Sequence, residues 1–211
     1  MKRHSFFSFG CGLWLLCLLL TGCHSTDPTT GTTTVSGQVV TYQTNKPVPN
    51  ATVQVYHLSS GGGYVPVGTG FPADKQGHFA FDFNADNKFG YLLMASAPPG
   101  YITDWGRAPS LTAGRANGDI TIPTYAPAWF KLQLMNTSHL KRYSITIQGY
   151  SGSGELIYNP KDTVLIRPTQ AIGVKTSVAW GIIDQATGSS SQGYQEVKPG
   201  PLDTVAVQIP F

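Results

Sequence analysis

Cysteine is confined to the first 23 residues, as Cys11, Cys17 and Cys23. Nothing after them can form a disulfide, a thiolate metal site or a cysteine nucleophile, so any core must be held by apolar packing alone. Glutamate occurs only twice, at Glu155 and Glu196, and no apolar stripe of helical period persists beyond residue 23. The sequence therefore predicts essentially no helix. Charge is scarce as well: 12% of residues, with 14 basic against 11 acidic side chains. Setting Lys2 and Arg3 aside leaves 12 against 11, a net charge of +1, which gives no electrostatic footprint for nucleic acid. No second apolar run is long enough to span a membrane. Paired carboxylates, a nucleophile triad and a metal cluster are all missing from the spacings, so neither an enzyme nor a cofactor is expected.

What is present begins at the N-terminus. Lys2 and Arg3 precede the apolar core Cys11-Gly12-Leu13-Trp14-Leu15-Leu16-Cys17-Leu18-Leu19-Leu20, and two small residues follow before Cys23. A charged start, an apolar core of this length and a small-residue exit are the parts of a bacterial export signal. Leu20, Thr21, Gly22 and Cys23 resemble the lipobox of bacterial lipoproteins. That resemblance implies removal of residues 1–22 and lipidation of Cys23, hence a membrane partner reached through lipid, and more than one acyl chain anchors stably. The mature chain would have 189 of the 211 residues, enough for one large domain or two small ones.

Residues 23–34 are expected to form a flexible tether, since His24 to Thr34 hold nothing apolar to bury. About ten residues could lift the first folded residue roughly 30 Å from the membrane. Only Asp27 is charged there, so the charged cluster used for surface export in some envelopes is missing. The expected location is the outer membrane, on its periplasmic face.

From Val35 the apolar period is two. Val35 and Val39, then Ala51, Val53 and Val55, then Phe79, Phe81 and Phe83, then Tyr91, Leu93 and Ala95 alternate with polar or small residues between Gly, Pro, Asn and Asp clusters. These are strands joined by turns. Val35-Ser36-Gly37-Gln38-Val39-Val40, Lys46-Pro47-Val48-Pro49-Asn50-Ala51-Thr52-Val53, Asp74-Lys75-Gln76-Gly77-His78-Phe79 and Ala97-Pro98-Pro99-Gly100-Tyr101 resemble the carboxypeptidase regulatory-like domain. The likeness covers about residues 35–101 and implies a transthyretin-like, seven-stranded Greek-key sandwich with no catalytic residues of its own. Asn45 and Asn50 stand where that family has Gly, and both can adopt left-handed turn geometry. The zinc pair His-x-x-Glu is absent: the residues three after His24, His57, His78 and His139 are Asp27, Ser60, Phe81 and Arg142.

A loop-rich crossing spans Pro98 to Tyr125, after which alternation resumes. Phe130, Leu132 and Leu134 form one face, as do Tyr143, Ile145 and Ile147, then Val174, Val178, Trp180 and Ile182, then Val205, Val207 and Ile209. The expected fold is all-β: two small antiparallel β-sandwich domains, at 35–123 and 124–211, with one enlarged sandwich as the rival arrangement.

Several constellations invite chemistry. Gly149-Tyr150-Ser151-Gly152-Ser153-Gly154 nearly matches a nucleophile elbow, which needs a strand-to-helix turn; a hairpin loop is the plainer account. Asp82-x-Asn84-x-Asp86 echoes a calcium loop, but Asn87 stands in place of its Gly and Leu93 in place of its Glu. The repeated Asp162-Thr163-Val164 and Asp203-Thr204-Val205 look like O-glycosylation acceptors or, more plainly, strand starts after turns. His57, His78 and His139 share no ligand spacing and read as single surface histidines. Tyr101, Asp104, Trp105 and Arg107 are the strongest candidate site: an aromatic plate beside a carboxylate and a guanidinium could hold a sugar or a peptide. The plainer account has Tyr101 and Trp105 capping the sandwich end or filling the domain junction. Overall the sequence predicts a lipid-anchored, non-catalytic envelope protein that binds or scaffolds another envelope protein, with glycan capture by the Tyr101–Arg107 loop as the alternative.

Overall fold

The computed structural model describes residues 30–139 and 141–211. The leader, Leu20, Thr21, Gly22 and the lipidation residue Cys23 lie outside them. Fifteen strands and one 3-10 turn make the described chain all-β. The first eight strands are β1 (Thr30–Thr41), β2 (Thr52–Leu58), β3 (Tyr64–Pro72), β4 (His78–Asp86), β5 (Tyr91–Ala97), β6 (Tyr101–Ile102), β7 (Ser110–Leu111) and β8 (Ala116–Thr124). They form two sheets, β4-β1-β8 and β3-β2-β5-β6, with β7 also paired to β5. The remaining strands are β9 (Ala126–Met135), β10 (Tyr143–Gln148), β11 (Glu155–Tyr158), β12 (Thr163–Ala171), β13 (Thr176–Asp184), β14 (Ser190–Val197) and β15 (Thr204–Pro210). Their sheets are β12-β9-β15 and β11-β10-β13-β14.

The two halves share one topology. In each, the first strand is the centre of a three-stranded sheet, between the fourth strand and the last. The second strand sits between the third and the fifth in the other sheet. Each pair of sheets encloses its own core. One is built on Val35, Val39, Val53, Phe79, Leu93 and Ile122, the other on Phe130, Leu132, Ile145, Ile147, Val207 and Ile209. Alternation explains both: inward residues are apolar and buried, and their neighbours along each strand face water.

Three expectations are corrected. The sandwiches are not purely antiparallel, because the first and last strands of each half, β1 with β8 and β9 with β15, run parallel. The expected tether overlaps a strand: β1 starts at Thr30 and pairs with β4 from Asp86 onward, so the first folded segment begins ahead of residue 35. Threonine is β-branched and suits a strand. Thr33 is buried because its hydroxyl accepts a hydrogen bond from the Gly114 N–H at 2.8 Å. The crossing from Pro98 to Tyr125 also holds the nine-residue β8, whose apolar signal is only Ile120 and Ile122 among Gly, Asp and Pro. Where β8 meets β1, the register shifts between Val35 and Gly37, and a Cβ on Gly37 would sit 1.9 Å from the Ile120 carbonyl oxygen. Glycine is required there by close backbone approach.

The turns follow their chemistry. Asn45 and Asn50 take φ of 50° and 54°. Asp74 Oδ1 accepts from the N–H groups of Gln76 and His78, both at 2.8 Å, which closes the turn into β4 and holds the Asp74 carboxyl below its ordinary range. Gly149 to Gly154 form a strand-to-strand connection between β10 and β11, not a strand-to-helix elbow. Asp82 and Asn84 face solvent on β4, and Asp86 accepts from the Lys88 N–H. Thr163 and Thr204 each open a strand, at β12 and β15.

Candidate functional site

The segment between β6 and β7 is pinned to β5 at both ends. Thr103, fully enclosed, donates its N–H to the Ala95 carbonyl and accepts the Ala95 N–H on its hydroxyl. Pro109 accepts from Leu93 N–H. Between these anchors Trp105–Arg107 make one 3-10 turn, capped by Asp104, whose carboxylate accepts from Gly106 N–H at 2.9 Å. Pinning fixes where the turn's side chains emerge.

Trp105 reaches across β5 to the outward rings of β2 and β3. It stacks on Tyr64 with centroids 4.9 Å apart and planes 11° from parallel, and meets Tyr56 edge-on at 5.0 Å. Trp105 and Tyr64 stay 47% and 43% exposed, so this is a surface plate and not a core. Arg107 faces the other way. Its guanidinium lies 3.7 Å from the Tyr42 ring centroid and Nε donates to the Tyr125 hydroxyl at 2.8 Å. That hydrogen bond holds the guanidinium proton more tightly than usual.

The four residues singled out in sequence are thus divided. Trp105 stands on the plate. Asp104 is engaged as a cap and Arg107 in a clamp with Tyr42 and Tyr125. Tyr101 packs half-buried against Ala126, Ala128 and Ala171, where the two halves meet. Sequence reasoning missed Tyr56 and Tyr64. The signal for Tyr56 was its outward phase beside Val53 and Val55, while Tyr64 sits in the glycine- and proline-broken β3.

The halves meet tightly around these residues. Tyr125 alone separates β8 from β9; it bridges Ile102 by two backbone hydrogen bonds and contacts the Tyr42 ring edge-on at 5.4 Å. Gln43 donates its amide to the Ala171 carbonyl at 3.1 Å. Among the described residues no group of three or more His, Cys, Asp or Glu side chains is placed to hold a metal ion.

No family model and no curated sequence matches this chain. Among solved structures it is similar to the TIE protein of Bacillus anthracis, at 12% identity and a TM-score of 0.34 over 85% of this chain and 34% of that one. A leucine-rich repeat protein from Bacteroides thetaiotaomicron aligns at 10% identity and a TM-score of 0.30, over 87% of this chain and 26% of that one. The minor pilin GBS52 of Streptococcus agalactiae aligns at 9% identity and a TM-score of 0.41, over 85% of this chain and 94% of the pilin. The chain therefore spans about a third of the first of these proteins and a quarter of the second.

Proposed function

We propose that this chain is a non-catalytic recognition protein of the cell envelope, held at the outer membrane by lipid on Cys23, which docks a protein partner on the Tyr56–Tyr64–Trp105 plate. The stacked, half-exposed Trp105–Tyr64 pair carries this reading. Rigid aromatic anchors of this kind dominate protein–protein recognition, because they give large contact area at little conformational cost. Of the polar groups that a sugar would need beside the plate, Arg107 lies away from it against Tyr42 and Tyr125, and Asp104 commits one carboxylate oxygen to its cap. An apolar partner surface suits what is left.

The non-catalytic half of the proposal rests on where the perturbed ionisable groups lie. Such groups gather at active sites in enzymes. Here Asp74 and Asp184 are held low by turn N–H groups, and Glu155 is held low by Arg167. Tyr143 is pushed up by burial beneath the Pro160 carbonyl to which it donates. Glu155, Arg167 and the half-buried Tyr150 shift together as one cluster, in which the ion pair ties β11 to β12, and each of the other shifted groups answers to its own local partner. The test is mild cross-linking and affinity capture of the full lipidated protein from its native envelope, alongside Trp105→Ala. One stoichiometric protein partner, reduced at least tenfold by the substitution, is expected. Equal capture by both proteins would remove the plate from the function.

A further inference from the structure

The outer face of the sheet carrying Trp105 is crossed by the β6–β7 segment. Its counterpart in the second half has no such cover among the described residues, because β13 passes through a short turn directly into β14. The result is a groove of about 720 Å³ over β10, β13 and β14, within the size range of ligand sites. Its floor is low where Gly181 and Ala179 face outward, and a Cβ on Gly181 would meet nothing within 4 Å. Tyr194 rises beside it on β14, 70% exposed, its ring in contact with no aromatic ring or cation among the described residues.

The lining joins two chemistries: Ala179 and the half-exposed Ile183 give apolar ground, and polar side chains stand around it. Thr146, Gln148, Ser177 and Gln192 bring hydroxyls and amides to the groove, and none of these side chains makes a hydrogen bond with another of the described residues. No charged residue lines it; the charges at one end, Lys175 and Glu196, pair with each other at 3.3 Å. Hydroxyl and amide groups that both donate and accept, an open aromatic face and an absence of net charge match one ligand chemistry. Sugar rings offer hydroxyls for the first, an apolar C–H face for the second and neutrality for the third. An anionic polymer would find no cation to pair with, and an apolar peptide would leave the lining amides without partners.

We propose that this groove binds a neutral glycan chain, with Tyr194 as the stacking platform and Thr146, Gln148, Ser177 and Gln192 as its hydrogen-bonding rim. The site is separate from the aromatic plate and stands whether or not the plate docks a protein.

The experiment is affinity electrophoresis of the full chain through gels containing mannan, xylan, β-glucan or α-glucan, with polygalacturonate as the anionic control. At least one neutral polymer is expected to retard the wild-type protein. Tyr194→Ala and Gly181→Trp should each weaken that binding at least tenfold, Tyr194→Phe should retain it, and Trp105→Ala should leave it unchanged. Gly181→Trp fills open space on a strand face, so its circular dichroism and unfolding midpoint should match wild type and separate occlusion from misfolding. Retardation by none of the neutral polymers, preference for polygalacturonate, or binding that survives both Tyr194→Ala and Gly181→Trp would overturn the assignment.

Discussion

At the corner where β3 and β4 join the two sheets of the first half, the rings of Phe71 and Phe81 lie 3.8 Å apart and 3° from parallel. At the matching corner of the second half, between β11 and β12, Arg167 grips Glu155 in a two-pronged pair, Nε to Oε1 at 2.8 Å and Nη2 to Oε2 at 2.6 Å. The strands, their order and their roles correspond, yet one corner is closed by apolar stacking and the other by charge. The shared topology therefore demands a contact tying two edge strands, and leaves its chemistry open. The surroundings agree with the choice made in each half. Phe79, Phe83 and Tyr91 extend the first corner into an aromatic row, whereas the second half is packed mostly with Ile, Leu and Val, with Phe130 and the Tyr143–Phe211 pair as its buried aromatics.

The sharpest way to break the comparison is Phe81→Ala. It removes a ring packed against three others and should cost about 3 kcal/mol in urea unfolding, with little dependence on salt. Arg167→Met comes next, leaving Glu155 half-buried without its partner. A loss of about 1–2 kcal/mol is expected, less than for a fully enclosed pair because both side chains remain about a quarter exposed, and the double variant Glu155→Leu/Arg167→Met should recover much of it.

Acid should sharpen the contrast further. Arg167 holds the folded Glu155 carboxyl below its unfolded value, so the unfolded chain binds more protons over that window. The stabilisation is present above the unfolded pKa and is lost as pH falls through the folded one. Asp74 and Asp184 shift in the same direction, one in each half, so the extra acid sensitivity of the second half falls to Glu155. Carboxyl NMR titration should show a depressed Glu155 midpoint that returns towards normal in Arg167→Met. The smallest effect is that of salt. Raising ionic strength should weaken the Glu155–Arg167 corner by a few tenths of a kcal/mol and leave the Phe71–Phe81 corner unmoved.

Much of the architecture was legible because strands buried on one face alternate. Val53 and Val55, Phe79 and Phe81, Ile145 and Ile147 mark their strands without help from the rest of the chain. The strands that escaped are those whose burial is not apolar or not alternating. Thr33 is enclosed through a hydroxyl bonded to a residue 81 positions away, β3 is broken by Gly and Pro, and β14 is an edge strand of Ser, Gln and Gly. Parallel pairing of first with last strand was invisible because it joins segments some 80 residues apart. The same limit applied to the site. Trp105 was conspicuous in its Pro- and Gly-rich segment, but its partners Tyr56 and Tyr64 come from strands more than forty residues earlier, and only the crossing over β5 brings them together. The open face of β10, β13 and β14 left no local mark, since outward Thr, Ser, Gln and Gly look the same in sequence whether or not a loop covers them.

The parallel seam between first and last strand also has a mechanical meaning. Tension entering at the start of β1 and leaving at the end of β8 pulls two parallel neighbours in opposite directions along their length. Their evenly spaced hydrogen bonds are then strained together instead of parting one after another. β9 and β15 stand in the same relation, so each half resists stretching through a sheet seam alone, in a chain with no cysteine beyond residue 23 to crosslink it. Single-molecule pulling through the ends of either half should require more force than pulling through its β3–β4 or β11–β12 connection.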